Sequence, residues 1–259
     1  MTASLKSHTH GQTMVLTISN PEHRNALGPD IYVAGVEALT AAENSRDIRS
    51  VVITGEGRHF CAGGNLQRLQ ANRQLDPQVQ ADSIDGLHSW IDSIRSFPKP
   101  VLAAIEGSCA GAGFSLALAC DLMVAAQDSV FVMAYVNVAL SPDGGATWSL
   151  LRSLPRSTAM QLLMGGERID APRLQQLGVV SRISAAGQAL TDALAWAEQL
   201  NARAPNAMAS IKELANEAHN QPLHAQLVAE RDHFVRNLHH PNAGEGISAF
   251  IEKRTPAYR

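Results

Sequence analysis

The chain has 259 residues, of which 45% are hydrophobic and 17% charged, and its formal net charge is −3 at pH 7. That composition is typical of a globular protein with a substantial core, and the near balance of charge gives no support for binding nucleic acid or an anionic membrane surface. The three cysteines, Cys61, Cys109 and Cys120, lack the CxxC spacing of a metal or redox site. The N-terminus is too polar for a signal peptide, and no apolar run has the roughly 20 residues of a membrane span. We therefore expect a cytoplasmic protein with reduced thiols.

Apolar periodicity and turn residues divide the chain into alternating strands and helices. In chain order, the sequence predicts a strand at 14–18, a loop leading to a helix at 31–44, a strand at 50–54, helical structure at 66–97 interrupted at Pro77, a strand at 101–105, a helix at 114–119, a strand at 122–126, a loop at 137–145, a helix at 146–154, a strand at 179–183 and mostly helical structure from 190 to 259. This alternation indicates an α/β core with largely parallel strand pairing. We therefore expect a core at 1–189 and a helical assembly region at 190–259.

Two glycine-rich turns each follow a predicted strand, GEGRHFCAGGNL at 55–66 and GSCAGAGFSLALACD at 107–121. The second turn is not a dinucleotide-binding GxGxxG motif, because Leu116 stands where the last glycine is needed, and the chain has no Gly-Lys-Ser/Thr of a P-loop. Two such turns at the ends of neighbouring strands bring two backbone N–H groups to one point, which is the arrangement that stabilises an acyl oxyanion. From spacing alone, tight turns that only allow close helix packing are the favoured explanation of the glycines.

Four motifs in order along most of the chain carry a family resemblance. HFCAGGNL, AAIEGSCAGAGFSLALACDL, LSPDGGATWSL and the closing GISAFIEKR resemble the enoyl-CoA hydratase/isomerase (crotonase) superfamily. The resemblance implies a spiral core of ββα units with a helical C-terminal trimerisation region, and assembly as a homotrimer or a dimer of trimers. It also implies an acyl-CoA substrate whose coenzyme A part replaces any separate cofactor.

The resemblance also assigns the binding residues. The thioester oxygen would accept hydrogen bonds from the backbone N–H groups of Gly64 and Ala112, beside a helix N-terminus that adds to the field. The remaining residues that would contact the acyl-CoA are Arg24, Ala26, Ala62, Gly63, Asn65, Leu66, Gly111, Tyr135, Phe250 and Lys253, the last two serving a neighbouring subunit's ligand.

The acid–base group is where the chain departs from hydratases of the family. Those enzymes carry two glutamates, and this sequence has Ser115 and Tyr135 at the corresponding positions. A missing general acid or base typically costs 10² to 10⁴ in rate, so efficient hydration is in doubt. Asp143 remains in Pro-Asp-Gly-Gly, which by itself is also good turn chemistry.

The surrounding segments, FVMAY…LSPDGGATWSL and LHAQLVAERDHF…GISAFIEKR, resemble the ring-1,2-epoxyphenylacetyl-CoA isomerase branch, where the acid of this turn is catalytic. In the more distant 4-chlorobenzoyl-CoA dehalogenase an aspartate at this turn is a nucleophile, and His88 falls where that enzyme keeps a functional histidine. A lone helical histidine is also an ordinary packed or solvated side chain. The pair His239–His240 lacks further ligands at metal spacing, so we expect no metal site.

The sequence therefore predicts a crotonase-type enzyme that isomerises a double bond or ring through an oxyanion-stabilised enolate, with Asp143 moving the proton. An enoyl-CoA hydratase, or hydrolytic ring opening of a cyclic CoA thioester, is the alternative within the class. A non-catalytic acyl-CoA-binding protein is the alternative of another class, since it would keep the glycine turns without needing Asp143. The acyl group itself cannot be read from the sequence.

Overall fold

The computed structural model describes residues 3–259, so Met1 and Thr2, the first two residues of the predicted core, lie outside the described residues. In chain order the strands are β1 (Ser4–His10), β2 (Thr13–Ser19), β3 (Ser50–Gly55), β4 (Val101–Ile105), β5 (Ser108–Ala110), β6 (Leu122–Ala126), β7 (Val130–Val132), β8 (Arg168–Asp170) and β9 (Arg182–Ser184). The helices are α1 (Pro29–Asn44), α2 (Leu66–Asn72), α3 (Pro77–Ser96), α4 (Ala112–Ala119), α5 (Ala146–Ser153), α6 (Arg156–Gly165), α7 (Ala171–Gln176), α8 (Ala189–Asn201), α9 (Pro205–Glu217), α10 (Leu223–Leu238) and α11 (Pro241–Glu252). Helical turns of the 3-10 type occur at Pro21–His23, inside the loop expected before α1, and at Val136–Val138, at the start of the loop expected at 137–145.

A six-stranded sheet with the order β1-β2-β3-β4-β6-β9 forms the core. The strands from β2 to β9 in this order pair in parallel, and only β1 is antiparallel. The predicted mixed α/β fold with parallel pairing is therefore confirmed. The sequence analysis did not predict β1, an edge strand that is mostly exposed and so lacks an apolar face to reveal it.

A second, three-stranded sheet with the order β5-β7-β8 lies beside the first and was not predicted. Each of its strands has three residues, too few to show a periodic pattern. Because β5 follows β4 after only two residues, the chain passes directly from the main sheet into the small one. The small sheet thereby carries the second glycine turn away from the core towards α4.

The interruption expected at Pro77 divides the helical stretch 66–97 into α2 and α3, because Asp76 caps the N-terminus of α3 and Pro77 occupies its first turn. One strand boundary differs from the one expected. The last strand is β9 rather than 179–183: Gly178 turns the chain with φ 82°, and Val180 bonds back to Leu174 O through its N–H. The β-branched residues there are buried because they pack on the core, not because they belong to a strand. The helices α6 and α7 were also not predicted.

The helices from residue 189 onward do not all have the same environment. The helix α8 packs on one face of the sheet, where Ala193 and Ala197 contact Val52, Leu102 and Val124. The helices α9 to α11 instead leave large apolar side chains exposed, namely Ile211, Leu223, Leu227, Phe234, Val235, Leu238, Ile247, Phe250 and Ile251. No helix within residues 3–259 is long and apolar enough to cross a membrane.

Candidate functional site

The two glycine turns lie against each other, as the sequence analysis expected of turns at neighbouring strand ends. Cys61 and Cys109 pair as an isolated parallel bridge. The Cys61 N–H donates to Ser108 O at 3.1 Å, and the Ala110 N–H donates to Cys61 O at 2.9 Å. The first turn is therefore joined by backbone hydrogen bonds to β5, so the two turns have a fixed relative position.

Two glycines make this contact possible. Gly63 has a φ of 94°, and a Cβ atom there would lie 2.8 Å from Ala110 O and 3.2 Å from Ala112 N. Gly111 caps α4 with a φ of 50° and a ψ of −127°, a conformation that side-chain-bearing residues rarely adopt. Any side chain at Gly63 would push apart the two turns, which answers why glycine stands there.

The N–H groups of Gly64 and Ala112 are left without an acceptor among the described residues. Gly64 pairs with Leu27 in an isolated parallel bridge, in which the Leu27 N–H donates to Gly63 O at 2.8 Å. Because N–H directions alternate along an extended chain, the Gly64 N–H faces away from Leu27. Ala112 is the first residue of α4, where an N–H has no partner within the helix.

Both residues line a cavity of about 610 Å³. This pocket lies between the two turns, α3 and the segment 134–145, and most of its wall is apolar. It brings together these residues predicted for the site: Ala62, Gly64, Asn65, Leu66, Gly111, Ala112, Tyr135 and Asp143. His88 also lines it, from an exposed position on α3.

The other predicted residues lie outside the pocket lining. Arg24 is exposed in a left-handed conformation, with a φ of 50°, and its carbonyl accepts the Ala62 N–H at 2.9 Å. Ala26 and Gly63 are buried behind the pocket wall. Phe250 and Lys253 belong to the end of α11, and the Phe250 side chain is 87% exposed. Their assignment to a neighbouring subunit's ligand stays a prediction.

The carboxylate of Asp143 is held by a short chain of hydroxyl groups. The Tyr135 hydroxyl donates to Asp143 Oδ1 at 2.7 Å, and it lies 2.9 Å from Ser115 Oγ. The Ser115 hydroxyl reaches the Asp143 carbonyl oxygen at 3.0 Å. Ser115 and Tyr135, which the sequence analysis placed at the glutamate positions of hydratases, thus hold Asp143 in position.

Two tyrosines near the Asp143 carboxylate keep their phenolic protons. Burial, and then the negative charge of Asp143, raises the pKa of Tyr135 above its ordinary value. The same two causes raise the pKa of Tyr32, which also lines the pocket. Both phenols therefore remain neutral hydrogen-bond donors throughout the working pH range.

The cysteines beside the turns are structural. Cys61, Cys109 and Cys120 are free and buried. Burial raises the pKa of the Cys61 thiol to about 12, although the Gly63 N–H that points at its sulfur lowers it slightly. A thiol in that state is not a nucleophile at neutral pH.

Five polar residues that line the pocket were not identified from the sequence: Tyr32, Arg68, Gln80, Ser83 and Ser141. Arg68 on α2 and Ser83 on α3 both line it, and the Arg68 Nη2 donates to Ser83 Oγ at 2.6 Å. Gln80, one turn before Ser83, lines the same wall. Polar residues are common on partly exposed helices, so their presence alone did not indicate a binding site. The one available sequence signal was an arginine shortly after the first glycine-rich turn.

The histidine pair has a structural explanation. His240 caps the N-terminus of α11, because its Nδ1 accepts the Asn242 N–H at 3.1 Å. Across the described part of the chain, no three His, Cys, Asp or Glu side chains are grouped closely enough to hold a metal ion. Trp90 is buried against α1, as expected of a core residue, whereas Trp148 is half-buried between the Arg95 and Arg152 guanidinium groups.

Known proteins similar to this chain agree with the geometry. A family model described as Enoyl-CoA hydratase/isomerase matches residues 8–259. The 2,3-dehydroadipyl-CoA hydratase of Escherichia coli is 33% identical over 248 residues, which cover 96% of this chain and 95% of that protein. The 1,2-epoxyphenylacetyl-CoA isomerase of the same organism is 32% identical over 257 residues, which cover 97% of each.

A solved structure shows the same overall fold. The crystal structure of an enoyl-CoA hydratase from Polaromonas sp. JS666 has a TM-score of 0.98 and 69% sequence identity, and the match covers 99% of this chain and 100% of that one. The similar proteins thus include both hydratases and an isomerase, so similarity alone does not separate the two reactions.

Proposed function

The chain belongs to the enoyl-CoA hydratase/isomerase (crotonase) family of acyl-CoA enzymes, and from that premise we propose that it isomerises its acyl-CoA substrate through an oxyanion-stabilised enolate. The observation that carries the proposal is the acid content of the pocket: Asp143 is the sole carboxylate among the described residues that line it. One base is sufficient to move a proton between two carbons, whereas hydration is best served by two.

The arrangement of groups supports a two-step proton transfer. The thioester oxygen accepts hydrogen bonds from the N–H groups of Gly64 and Ala112. Asp143 then removes a proton from carbon, and the electron pair of the broken C–H bond moves into the enolate, whose negative oxygen the two donors stabilise. The enolate collapses with its double bond shifted, and the Asp143 O–H returns its proton to a different carbon.

The hydrogen bond from Tyr135 gives the two carboxylate oxygens of Asp143 different roles. Because the Tyr135 hydroxyl donates to Oδ1, that oxygen stays hydrogen-bonded while Oδ2 takes the proton. The reaction needs no cofactor besides the coenzyme A that forms part of the substrate.

Hydration is the second candidate, because the Polaromonas protein at 69% identity is described as an enoyl-CoA hydratase. Hydrolytic ring opening and simple acyl-CoA binding are the remaining alternatives. All four make different predictions about the oxygen and hydrogen atoms of the product, so isotope tracing separates them.

The test incubates the protein with 2-enoyl-, 3-enoyl- and epoxy-CoA thioesters in ²H₂O and, separately, in H₂¹⁸O. We expect double-bond or ring isomerisation with proton shuttling or exchange, and no ¹⁸O in the product. Label at the β-carbon of every product would establish hydration, and label in a ring-opened acid would establish hydrolysis. Tight binding with no turnover of any thioester would show that the protein binds acyl-CoA without catalysing a reaction.

The exposed apolar face of α9 to α11 supports assembly of several copies. Phe234 on α10 is 68% exposed and Ile251 on α11 is 73% exposed, which is unusual for large apolar side chains on a protein surface. We expect a trimer or a dimer of trimers that buries this face, and light scattering at micromolar concentration measures the mass. A stable monomer, or an unchanged mass after Phe234→Asp, would contradict this interface.

A further inference from the structure

The pocket contains a fixed positive charge that the proposed reaction does not use. Arg68 projects from α2, three residues after Asn65, and its side chain is half-buried in the pocket wall. Its guanidinium donates to Ser83 Oγ at 2.6 Å, and a Cβ atom on Gly28 would lie 3.4 Å from its Nη1. The group is therefore held between α1, α2 and α3 and is not a free surface chain.

Arg68 has no acidic partner in the structure. Within residues 3–259, no carboxylate forms an ion pair with it. Its neighbours are a serine hydroxyl and the Tyr32 phenol, whose pKa its charge lowers against the larger upward effect of burial. A guanidinium has five donor hydrogens, and within the described residues one of them is used in the hydrogen bond to Ser83, so most of its binding capacity is unused there.

A second donor lines the same wall. The carbonyl oxygen of Gln80 accepts a hydrogen bond from Asn72 Nδ2 at 2.8 Å. That bond fixes which end of the Gln80 amide is occupied and leaves both hydrogens of its NH₂ group available. Together with Arg68 and Ser83, this side of the otherwise apolar pocket offers hydrogen-bond donors suited to a planar anion.

We propose that Arg68, aided by Gln80, binds a carboxylate at the far end of the substrate's acyl chain, so that the preferred substrates are CoA thioesters of dicarboxylic acids. The inference rests on the proposed acyl-CoA function and specifies its substrate class. The oxyanion donors at Gly64 and Ala112 hold one end of the acyl group, and Arg68 holds the other. A neutral acyl chain would leave the guanidinium unpaired, which gives the selectivity.

The anion could instead be a phosphate of coenzyme A, and the test separates these sources. Binding is measured by calorimetry with saturated thioesters that cannot be isomerised or hydrated: succinyl-, adipoyl- and suberoyl-CoA against butyryl-, hexanoyl- and octanoyl-CoA, with free coenzyme A as a further ligand. We expect the wild-type protein to bind one or more of the diacid thioesters at least about 10-fold more tightly than its neutral partner, since hydrogen bonds to charged groups are the strong ones.

Arg68→Met should abolish that preference and leave the affinity for the neutral thioesters and for free coenzyme A within about 2-fold. Arg73→Met is the matched control, because Arg73 is an exposed arginine at the end of the same helix and does not line the pocket. It should behave as wild type. Thermal melting of both variants checks that the fold is intact.

Three results would overturn the proposal. No preference for a diacid at any chain length would remove its basis. Equal weakening by Arg68→Met of diacid thioesters, neutral thioesters and free coenzyme A would assign Arg68 to a phosphate. Failure of the wild-type protein to bind any of the thioesters would instead reject the acyl-CoA function, and the carboxylate site with it.

Discussion

The two ends of the reacting part of the pocket are constructed from different parts of the chain. At one end the groups are backbone N–H donors, from Gly64 and Ala112, and their positions follow from hydrogen bonds between two strand ends. At the other end the groups are side chains, Asp143 and Tyr135, on a segment that is partly 3-10 turn and partly loop. A backbone donor is retained when its own side chain changes, provided that Gly63 and Gly111 keep the turns in place, whereas a side-chain site changes its chemistry with one residue.

The difference explains how one fold supports several reactions. On the proposed function, the backbone end would accept any acyl thioester, because it would contact only the carbonyl oxygen. The reaction would then be decided at the other end, where the family resemblance places Ser115 and Tyr135 at the positions of the hydratase acids. The following predictions test the two ends separately, beginning with the largest expected effect.

Removing one backbone donor should disable the enzyme although no side-chain function is lost. Ala112→Pro deletes the N–H, and proline is tolerated at the first position of a helix. We expect kcat/KM to fall by about 10² to 10³, the usual effect of losing one oxyanion donor. Ala112→Gly retains the N–H and is the control. A folded Ala112→Pro variant with full activity would show that this end of the pocket is not the oxyanion site.

Removing the base should disable the reaction but not substrate binding. In Asp143→Asn the amide retains the shape and can still accept the Tyr135 hydrogen bond, but it cannot take a proton. We expect kcat to fall by about 10² or more with little change in acyl-CoA affinity. Asp128→Asn, an exposed aspartate outside the pocket, should have no effect. An active Asp143→Asn variant would show that another group is the base.

Tyr135→Phe tests whether the hydroxyl chain positions the base. We expect kcat to fall by about 10-fold, since hydrogen bonds to charged groups are the stronger class, and we expect KM to change little, because the hydroxyl contacts the Asp143 carboxylate. Steady-state kinetics measure both constants, and thermal melting checks that the fold is intact. An unchanged kcat in a folded variant, or an effect on KM alone, would contradict the assignment.

The smallest expected effect concerns the pH dependence of protein stability at the junction of the two glycine turns. The His59 Nδ1 accepts the Ser108 N–H at 3.2 Å, and burial, followed by the charges of Arg24 and Arg58, lowers the pKa of His59 below 6.5. As the pH falls, His59 therefore binds a proton in the unfolded chain before it does so in the folded chain. The contribution of neutral His59 to the free energy of unfolding is complete above about pH 6.5 and is lost as the pH falls through the lower pKa of the folded state.

We expect the melting temperature to decrease from pH 7.5 to pH 5 less steeply in His59→Gln than in the wild-type protein. A glutamine oxygen can accept the same N–H and does not titrate in this range. Differential scanning calorimetry at several pH values measures the two slopes. Equal slopes would show that His59 does not link pH to the stability of the turn junction.

The sequence predicted those parts of the fold that depend on local signals. The strands at 101–105 and 122–126 and the interruption at Pro77 follow from short apolar runs and from proline chemistry, and the structure has them where expected. The three-residue strands β5, β7 and β8 were missed because so short a segment has no period. The run at 179–183 was misread because its valines are buried by packing rather than by strand pairing.

By itself, the sequence determined the family, the two glycine turns and Asp143 as the candidate acid, because each is carried by residues close together in the chain. Only the tertiary structure decided that Ser115, Tyr135 and Asp143 form one hydrogen-bonded chain, since Ser115 and Asp143 are 28 residues apart. It also decided that Arg68 faces a pocket rather than solvent. Such pairings depend on how separate helices and loops pack, and no local pattern of residue types records that packing.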